Sequence, residues 1–238
     1  MMSGTIESSP QLYARMAGVS FLLGSLTSVF GQLIVRDRLV VFGDAAATAA
    51  NIMAHESLFR FGFASSFIAV PFHIAWALLF YEMFKPVNRS LSLLAAFILL
   101  VGCATWALSS LFYIAPLVVL QGSSSSSAFS LEQLQALALM LLRLNRQAYD
   151  VGLVLFGLWY VLIGRLIFRS TFLPRTIGAL VALAGVGYLT LLWRPLANYL
   201  NPYNLALAGP GEISLLLWLL VKGVNVRKWK EEASVGDS

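Results

Sequence analysis

Long runs of apolar residues, separated by shorter polar segments, dominate the pattern along this chain. Six runs approach the roughly 20 residues that a helix needs to cross the hydrocarbon core of a bilayer. They cover residues 16–35, 61–84, 91–119, 151–168, 177–193 and 213–221. The sixth run is short, and it reaches a spanning length when residues 205–211 and 222–226 extend it. The pattern predicts an all-α fold, a polytopic bundle of six transmembrane helices.

Two segments between these runs carry helix-start signals and predict two short amphipathic helices on the outer face. Asp44 can cap the alanine-rich run that follows it, and Ser130 with Gln133 forms an S-x-x-Q capping box. The second helix continues into the fourth span. A straight helix over 131–168 would be about 57 Å long, against a bilayer core about 30 Å thick. It therefore either projects beyond the core or breaks near residues 145–150.

Composition agrees with a chain whose solvent is lipid. Of its 238 residues, 59% are hydrophobic and 11% are charged, whereas a soluble domain carries about 25% charged residues. A soluble chain of this length has too much surface to hide such an excess of apolar residues. A separate soluble domain is therefore excluded.

The basic residues predict the orientation. If the N-terminus is cytoplasmic, ten of the 16 basic residues are on the inside: Arg15, Lys85, Arg89, Arg165, Arg169, Arg175, Lys222, Arg227, Lys228 and Lys230. The other six are on the outside: Arg36, Arg38, Arg60, Arg143, Arg146 and Arg194. The positive-inside rule then places both termini in the cytoplasm, with the bundle in the plasma membrane.

This orientation divides the chain into three parts. Residues 1–14 form a cytoplasmic tail, residues 15–226 form the six-helix domain, and residues 227–238 form a second cytoplasmic tail. We expect the basic patch of the second tail to anchor the inner face, with disorder after it. The net charge of +5 indicates contact with anionic membrane lipids, and no nucleic acid partner is expected.

Five short stretches, taken in order along the chain, carry a resemblance to a known family. They are GDAAATAANI with HESLFR (43–52 and 55–60), KPVNR (85–89), DVGL (150–153), RSTFLPR (169–175), and GE with LWLLVKG (211–212 and 217–223). Together they resemble a bacterial multi-pass membrane family, domain of unknown function 4386, from about Arg15 to Gly223. The resemblance implies a compact membrane domain of six or seven helices, and it implies no activity.

Ionisable residues within the spans are the first candidates for function, because burying them in lipid is costly. His73 lies in the middle of the second span, two residues after Pro71, where a kink and an imidazole can bind a proton, a ligand or a metal. The simpler interpretation is a neutral histidine that hydrogen-bonds a neighbouring helix. Glu82 lies three residues before Lys85, so an ion pair explains it best.

Small residues in the fourth and fifth spans predict close helix packing rather than chemistry. The glycines concerned are Gly157, Gly164, Gly178, Gly185 and Gly187.

The outer segments hold most of the other candidates. Glu56 with Arg60, and Arg146 with Asp150, are four residues apart, a spacing at which helical side chains form ion pairs. Glu212 is expected near the start of the sixth span, where the helix dipole favours a negative charge. The favoured interpretation is a rim of ion pairs that ties the outer helices to the bundle.

The same rim supports a chemical alternative. His55 with Glu56 or Asp150 can act as an acid and a base, beside a clamp for phosphate or carboxylate made of Arg60, Arg143 and Arg146. No nucleophile motif, zinc motif or phosphate loop supports an enzyme. The single cysteine, Cys103, is expected to be a packing residue, and we expect no metal and no cofactor.

These observations lead to three hypotheses about the function. The leading hypothesis is a non-enzymatic membrane protein that binds or moves a small or amphiphilic ligand. The alternatives are an enzyme acting on lipid headgroups at the outer rim, and a structural subunit that binds a membrane partner or another copy of itself. The candidate ligand-binding residues are His55, Glu56, Arg60, His73, Arg143, Arg146, Asp150 and Glu212.

Overall fold

A computed structural model of the chain describes residues 9–122 and 129–236. In chain order its helices are α1 (Pro10–Leu39), α2 (Ala45–Ala54), α3 (Glu56–Phe84), α4 (Arg89–Gln121), α5 (Leu131–Arg169), α6 (Arg175–Leu192), α7 (Arg194–Leu200), α8 (Tyr203–Val221) and α9 (Val226–Gly236). The described residues form no strand. The all-α prediction is confirmed.

Six of these helices, α1, α3, α4, α5, α6 and α8, are long and apolar enough to cross a membrane. Large apolar side chains point away from the protein along them, including Val118 (68% exposed), Val221 (67%) and Phe97 (59%). Water would disfavour so much exposed apolar surface, whereas lipid tails accept it. The chain is a multi-pass membrane protein.

Both helix-start signals in the outer segments are confirmed. Asp44 Oδ1 accepts a hydrogen bond from the Ala47 backbone N–H at 2.8 Å, which caps α2. The capping box also forms, because the Ser130 backbone N–H donates to Gln133 Oε1 at 2.8 Å, and the Gln133 N–H donates to Ser130 Oγ at 3.3 Å.

The second helix that this box starts is not a separate element. It is the beginning of α5, which runs unbroken for 39 residues. Of the two alternatives for this segment, a break near residues 145–150 is wrong. At 1.5 Å per residue the helix is about 58 Å long, so it extends well beyond a bilayer core of about 30 Å.

The chain divides into two compact units. Unit 1 contains Met1–Leu22, His73–Val101 and Leu153–Ser238, and unit 2 contains Leu23–Phe72 and Gly102–Gly152. The core of unit 2 is mostly aliphatic, around the ring contact of Phe59 with Tyr113 at 5.0 Å. The core of unit 1 is rich in aromatic rings, described below.

Close glycine contacts set the helix spacing in unit 1. A Cβ atom on Gly185 of α6 would lie 2.6 Å from the Gly157 carbonyl oxygen of α5, and one on Gly178 would lie 2.8 Å from the Gly164 carbonyl oxygen. A Cβ on Gly211 would lie 2.6 Å from a carbonyl oxygen of α6. The predicted role of these small residues in packing is confirmed, and α5, α6 and α8 approach backbone to backbone.

In unit 1 the start of α1 contacts the segment that follows α8. Gln11, near the start of α1, donates from Nε2 to the Lys222 carbonyl oxygen at 3.0 Å. Its Oε1 accepts from the Val224 backbone N–H at 3.0 Å. Between these two residues, Gly223 has a φ of +68° and a Cβ there would overlap the Gln11 amide. Glycine allows both the left-handed turn and the contact.

The C-terminal segment is ordered into α9, so the prediction of disorder after its basic patch is wrong as far as Gly236. Trp229 Nε1 donates to the Met83 carbonyl oxygen at 2.8 Å, and Glu232 Oε1 accepts from the Thr171 backbone N–H at 2.8 Å. These bonds join α9 to the last turn of α3 and to the connection between α5 and α6. Sequence periodicity alone did not indicate these contacts. At the other terminus, residues 1–8 of the predicted tail lie outside the described residues.

Candidate functional site

In unit 2, the residues that were predicted to form an outer rim make the ion pairs that their spacing predicted. Arg60 Nε lies 2.7 Å from Glu56 Oε1, and Arg60 Nη2 donates to Gln121 Oε1 at 3.3 Å. Arg146 Nε lies 3.1 Å from Asp150 Oδ1, and the Asp150 side chain is 8% exposed. Each pair links two side chains on adjacent turns of a single helix.

The other rim candidates are not drawn into a shared site by the contacts in unit 2. His55 ends α2, where it is exposed, and its Nδ1 lies 3.1 Å from the Asn51 carbonyl oxygen. Arg143 is exposed on α5. Glu56 and Asp150, the two acids proposed to work with His55, each bind an arginine of their own helix. These contacts favour the structural interpretation of the rim.

Unit 2 contains a buried arginine that the sequence analysis missed. Arg36 has 1% of its side chain exposed. It lies at the end of a π-helical segment of α1, Phe30–Arg36. The sequence pattern ended the first span at residue 35 and assigned Arg36 to an outer loop. The available signal was Gln32, the polar residue one turn earlier in the same apolar run.

The guanidinium of Arg36 is almost fully satisfied. Its Nη1 donates to Gln32 Oε1 at 2.7 Å and to Asn145 Oδ1 at 3.2 Å, while Nε and Nη2 donate to Asp37 Oδ1 at 3.0 and 2.8 Å. Asn145 is itself bound to Ser109 on α4 through its Nδ2 at 2.9 Å. Because amides and one carboxylate occupy its donors, Arg36 acts as a structural cation that joins α1, α4 and α5.

His73 lies in unit 1 and is buried, with 3% exposure. Its imidazole makes edge-to-face contacts with Phe156 at 5.2 Å and Trp76 at 5.8 Å. Helix α3 continues through Pro71 without a break. In the described part of the chain, no three His, Cys, Asp or Glu side chains come together as a metal site.

Glu212 lies within the sixth span. The sixth span runs from Tyr203 to Val221, so Glu212 is nine residues from either end. The helix is interrupted by a turn at Leu207 and resumes at Ala208, four residues before Glu212. Its place near a helix start therefore agrees with the expectation, and its stabilisation by the helix dipole stays a prediction. Glu212 is an ionisable group at the middle of a membrane span, the position that most often marks a functional residue.

Tyrosine hydroxyls bind this carboxyl group. Tyr188 of α6 donates to Glu212 Oε1 at 2.7 Å, and Tyr160 of α5 is a second hydrogen-bond partner. The two tyrosine rings stack, with centroids 5.9 Å apart and planes 20° apart. The contact of Gly157 with Gly185, one turn from each tyrosine, brings α5 and α6 close enough for this arrangement.

Glu212 differs in its partners from four of the five other acids of the spans, the fifth being Glu132, which is exposed at the start of α5. Asp37, Glu56, Glu82 and Asp150 each contact an arginine or lysine. The pair of Glu82 with Lys85, at 2.6 Å, was predicted, and its hydrogen bond raises the pKa of Lys85. For Glu212, residues 9–122 and 129–236 provide hydroxyl donors and no ion pair.

Aromatic rings continue from this carboxyl group into the core of unit 1. Tyr160 contacts Trp159 at 5.1 Å and Trp76 at 6.1 Å, and the two tryptophans are 4.4 Å apart. Both indoles are fully buried. Within the described residues, neither indole N–H has a hydrogen-bond acceptor. Buried indole donors usually have an acceptor, so this cluster has unused capacity to bind one.

Comparison with known proteins bears on the family of this chain. The model of the family described as "Domain of unknown function (DUF4386)" matches residues 16–223. An "Uncharacterized protein" of Archaeoglobus fulgidus is 23% identical over 171 residues, covering 71% of this chain and 85% of that relative. No solved structure matches. Because this relative is archaeal, a bacterial source stays a prediction. With a match over most of its length, the chain belongs to the DUF4386 family.

Proposed function

We propose that this membrane protein binds or moves a small amphiphilic ligand within unit 1, and that Glu212 is the polar contact for that ligand. The observation that carries the proposal is a carboxyl group at the middle of a membrane span, bound by tyrosine hydroxyls and lacking an ion pair in the described chain. A charge in this position is costly to keep. A charged residue at this depth is commonly part of a functional site.

The surroundings of Glu212 favour a ligand with a positive charge and an apolar body. A carboxylate attracts a cation, and the faces of tyrosine and tryptophan rings attract the same charge. Tyr160 and Tyr188, the two hydrogen-bond partners of Glu212, provide such rings beside it. We therefore propose a lipophilic cation as the ligand class.

The test is binding of tetraphenylphosphonium to the purified protein by scintillation proximity. Tetraphenylborate, which has nearly the same shape and the opposite charge, is the matched control ligand. We expect the wild type to bind the cation in preference to the anion. We expect Glu212→Gln to weaken cation binding by about tenfold or more, or about 1.4 kcal/mol, because it removes the Coulomb attraction between the carboxylate and the cation.

Glu82→Gln is the matched control variant, because it makes the same change in the same unit at an acid already paired with Lys85. It should bind tetraphenylphosphonium like the wild type. The proposal fails if Glu212→Gln binds the cation as well as the wild type, or if the wild type binds both ions equally.

We also propose that the protein lies in the plasma membrane with both termini in the cytoplasm. The support is the distribution of basic residues, ten in the segments on the side of the termini against six on the other side. Membrane lipids are then its immediate partners.

A further inference from the structure

A cavity of about 350 Å³ lies at the end of unit 1 where α4 begins and α5 ends. Its lining comes from two places in the chain. Arg165 and Arg169 belong to the last turns of α5, and the first turns of α4 contribute the rest, which are Asn88, Ser90, Leu91 and Leu94. The cavity therefore has one basic wall and one wall that changes from polar to apolar.

The two arginines are the unusual part of this cavity. They are four residues apart, so they share one face of α5, and both are exposed. Over the described ranges, 9–122 and 129–236, neither side chain makes a hydrogen bond or an ion pair, and none of the six lining residues is acidic. By contrast Lys85, at the same end, is paired with Glu82. The cavity concentrates two positive charges with no acid to balance them.

The chemistry of the lining matches one kind of occupant. A guanidinium presents parallel N–H donors that fit two oxygens of a phosphate group. Asn88 and Ser90 add neutral hydrogen-bonding groups, and Leu91 and Leu94 provide an apolar surface beside them. A ligand that combines a phosphate with an apolar chain fits all of these features.

The cavity also lies at the depth of lipid headgroups. Arg169 is the last residue of the fourth span, and the third span begins at Arg89, next to Asn88 and Ser90. Helix α9 docks at this same end through Trp229 and Met83. It carries three basic residues and two acids, Glu231 and Glu232, and Glu231 pairs with Arg227 at 3.6 Å, so the helix adds little net charge. Basic pockets between membrane helices attract anionic headgroups in this region.

We propose that this cavity binds the phosphate group of an anionic glycerophospholipid, with Arg165 and Arg169 as its ligands and with Leu94 against the start of an acyl chain. The site is independent of Glu212, because it uses different residues and the opposite charge.

The experiment is native mass spectrometry of delipidated protein titrated with phosphatidylglycerol, or with phosphatidylcholine of the same acyl chains. The wild type should retain phosphatidylglycerol about tenfold better, and the double variant Arg165→Gln/Arg169→Gln should lose that preference. The control Arg227→Gln/Lys228→Gln removes the same charge from the same end, outside the cavity, and should keep the preference. Melting temperatures check that each variant is folded.

Three results would overturn the proposal. The first is equal retention of both lipids by the wild type, and the second is an equal loss in the control variant, which would indicate general surface attraction. The third is displacement of phosphatidylglycerol by inorganic phosphate at matched concentration, which would indicate a free-phosphate site. If the glutamine variant does not fold, Arg165→Lys/Arg169→Lys keeps the charge without the paired donors. It should lose about threefold of the preference, and an unchanged preference contradicts the site.

Discussion

Arg36 places a full positive charge inside unit 2, where only 1% of its side chain is exposed. An arginine there needs every available partner, because desolvating a charge costs several kcal/mol. Gln32, Asp37 and Asn145 supply these partners from α1 and α5. The π-helical segment that ends at Arg36 has wider turns than an α-helix, and irregular turns of this kind are frequent where a side chain must be redirected.

We predict that Arg36→Ala lowers the stability of the protein by about 3 kcal/mol, because it leaves the buried oxygens of Gln32 and Asn145 without a donor. The measurement is the thermal unfolding midpoint in detergent. Arg38→Ala is the matched control, since Arg38 is exposed two residues further along, and it should unfold like the wild type. Equal midpoints for the two variants would contradict a structural role for Arg36.

The two residues whose surroundings were predicted least well, Arg36 and Glu212, share a physical cause. Hydropathy marks where a run of apolar residues stops, and both residues were assigned to the ends of such runs. Helix α1 continues past Arg36 to Leu39, and the sixth span begins at Tyr203, nine residues before Glu212. Both side chains have hydrogen-bond partners on other helices. A hydropathy window along the sequence contains no information about such distant partners.

At the scale of helices, the sequence was a better guide. All six spans occur where the apolar runs predict them, and the capping signals at Asp44 and Ser130 mark the starts of α2 and α5. Both features are local, which explains the agreement. The unbroken course of α5 and the docking of α9 through Trp229 depend on distant partners, so they did not follow from the pattern.

Helix spacing in unit 1 leads to a second prediction. Gly185→Ala adds a methyl group that would lie 2.6 Å from the Gly157 carbonyl oxygen, so α5 and α6 must separate. We expect a loss of about 1–3 kcal/mol in stability. Cation binding should weaken as well, because Tyr188 is three residues further along the same helix.

Gly209→Ala adds the same methyl group in α8, where nothing lies within 4 Å of the new atom. Alanine is a better helix former than glycine, so this control should unfold at the wild-type temperature or slightly above it. The two alanine variants are compared by unfolding midpoint and by tetraphenylphosphonium binding. If Gly185→Ala matches Gly209→Ala in both, close packing is not what positions Tyr188.

At the scale of the whole molecule, the orientation of the protein across the membrane is still a prediction. Cys103 is the only cysteine, and it is buried, with 1% exposure. In a Cys103→Ser background, Tyr199→Cys (replacing a side chain that is 85% exposed) reports on the connection between the last two spans. Ser234→Cys, at an exposed position of α9, reports on the C-terminal side.

With both termini in the cytoplasm, a membrane-impermeant maleimide should label Tyr199→Cys on intact cells. It should label Ser234→Cys only after the cells are permeabilised. The Cys103→Ser protein without a new cysteine gives the background. The reverse labelling pattern would mean that the distribution of basic residues gives the wrong orientation.

The contact of Gln11 with the backbone at Lys222 and Val224 has a consequence for the order in which the protein takes shape during translation. Unit 2 is complete in sequence once Gly152 has been added, whereas unit 1 still lacks Leu153–Ser238. At about 5–20 residues per second, that remainder takes about 4–17 s to synthesise. For those seconds Gln11 lacks its partners, the backbone at Lys222 and Val224. The half of the protein that carries Glu212 is therefore the half that a nascent chain completes last.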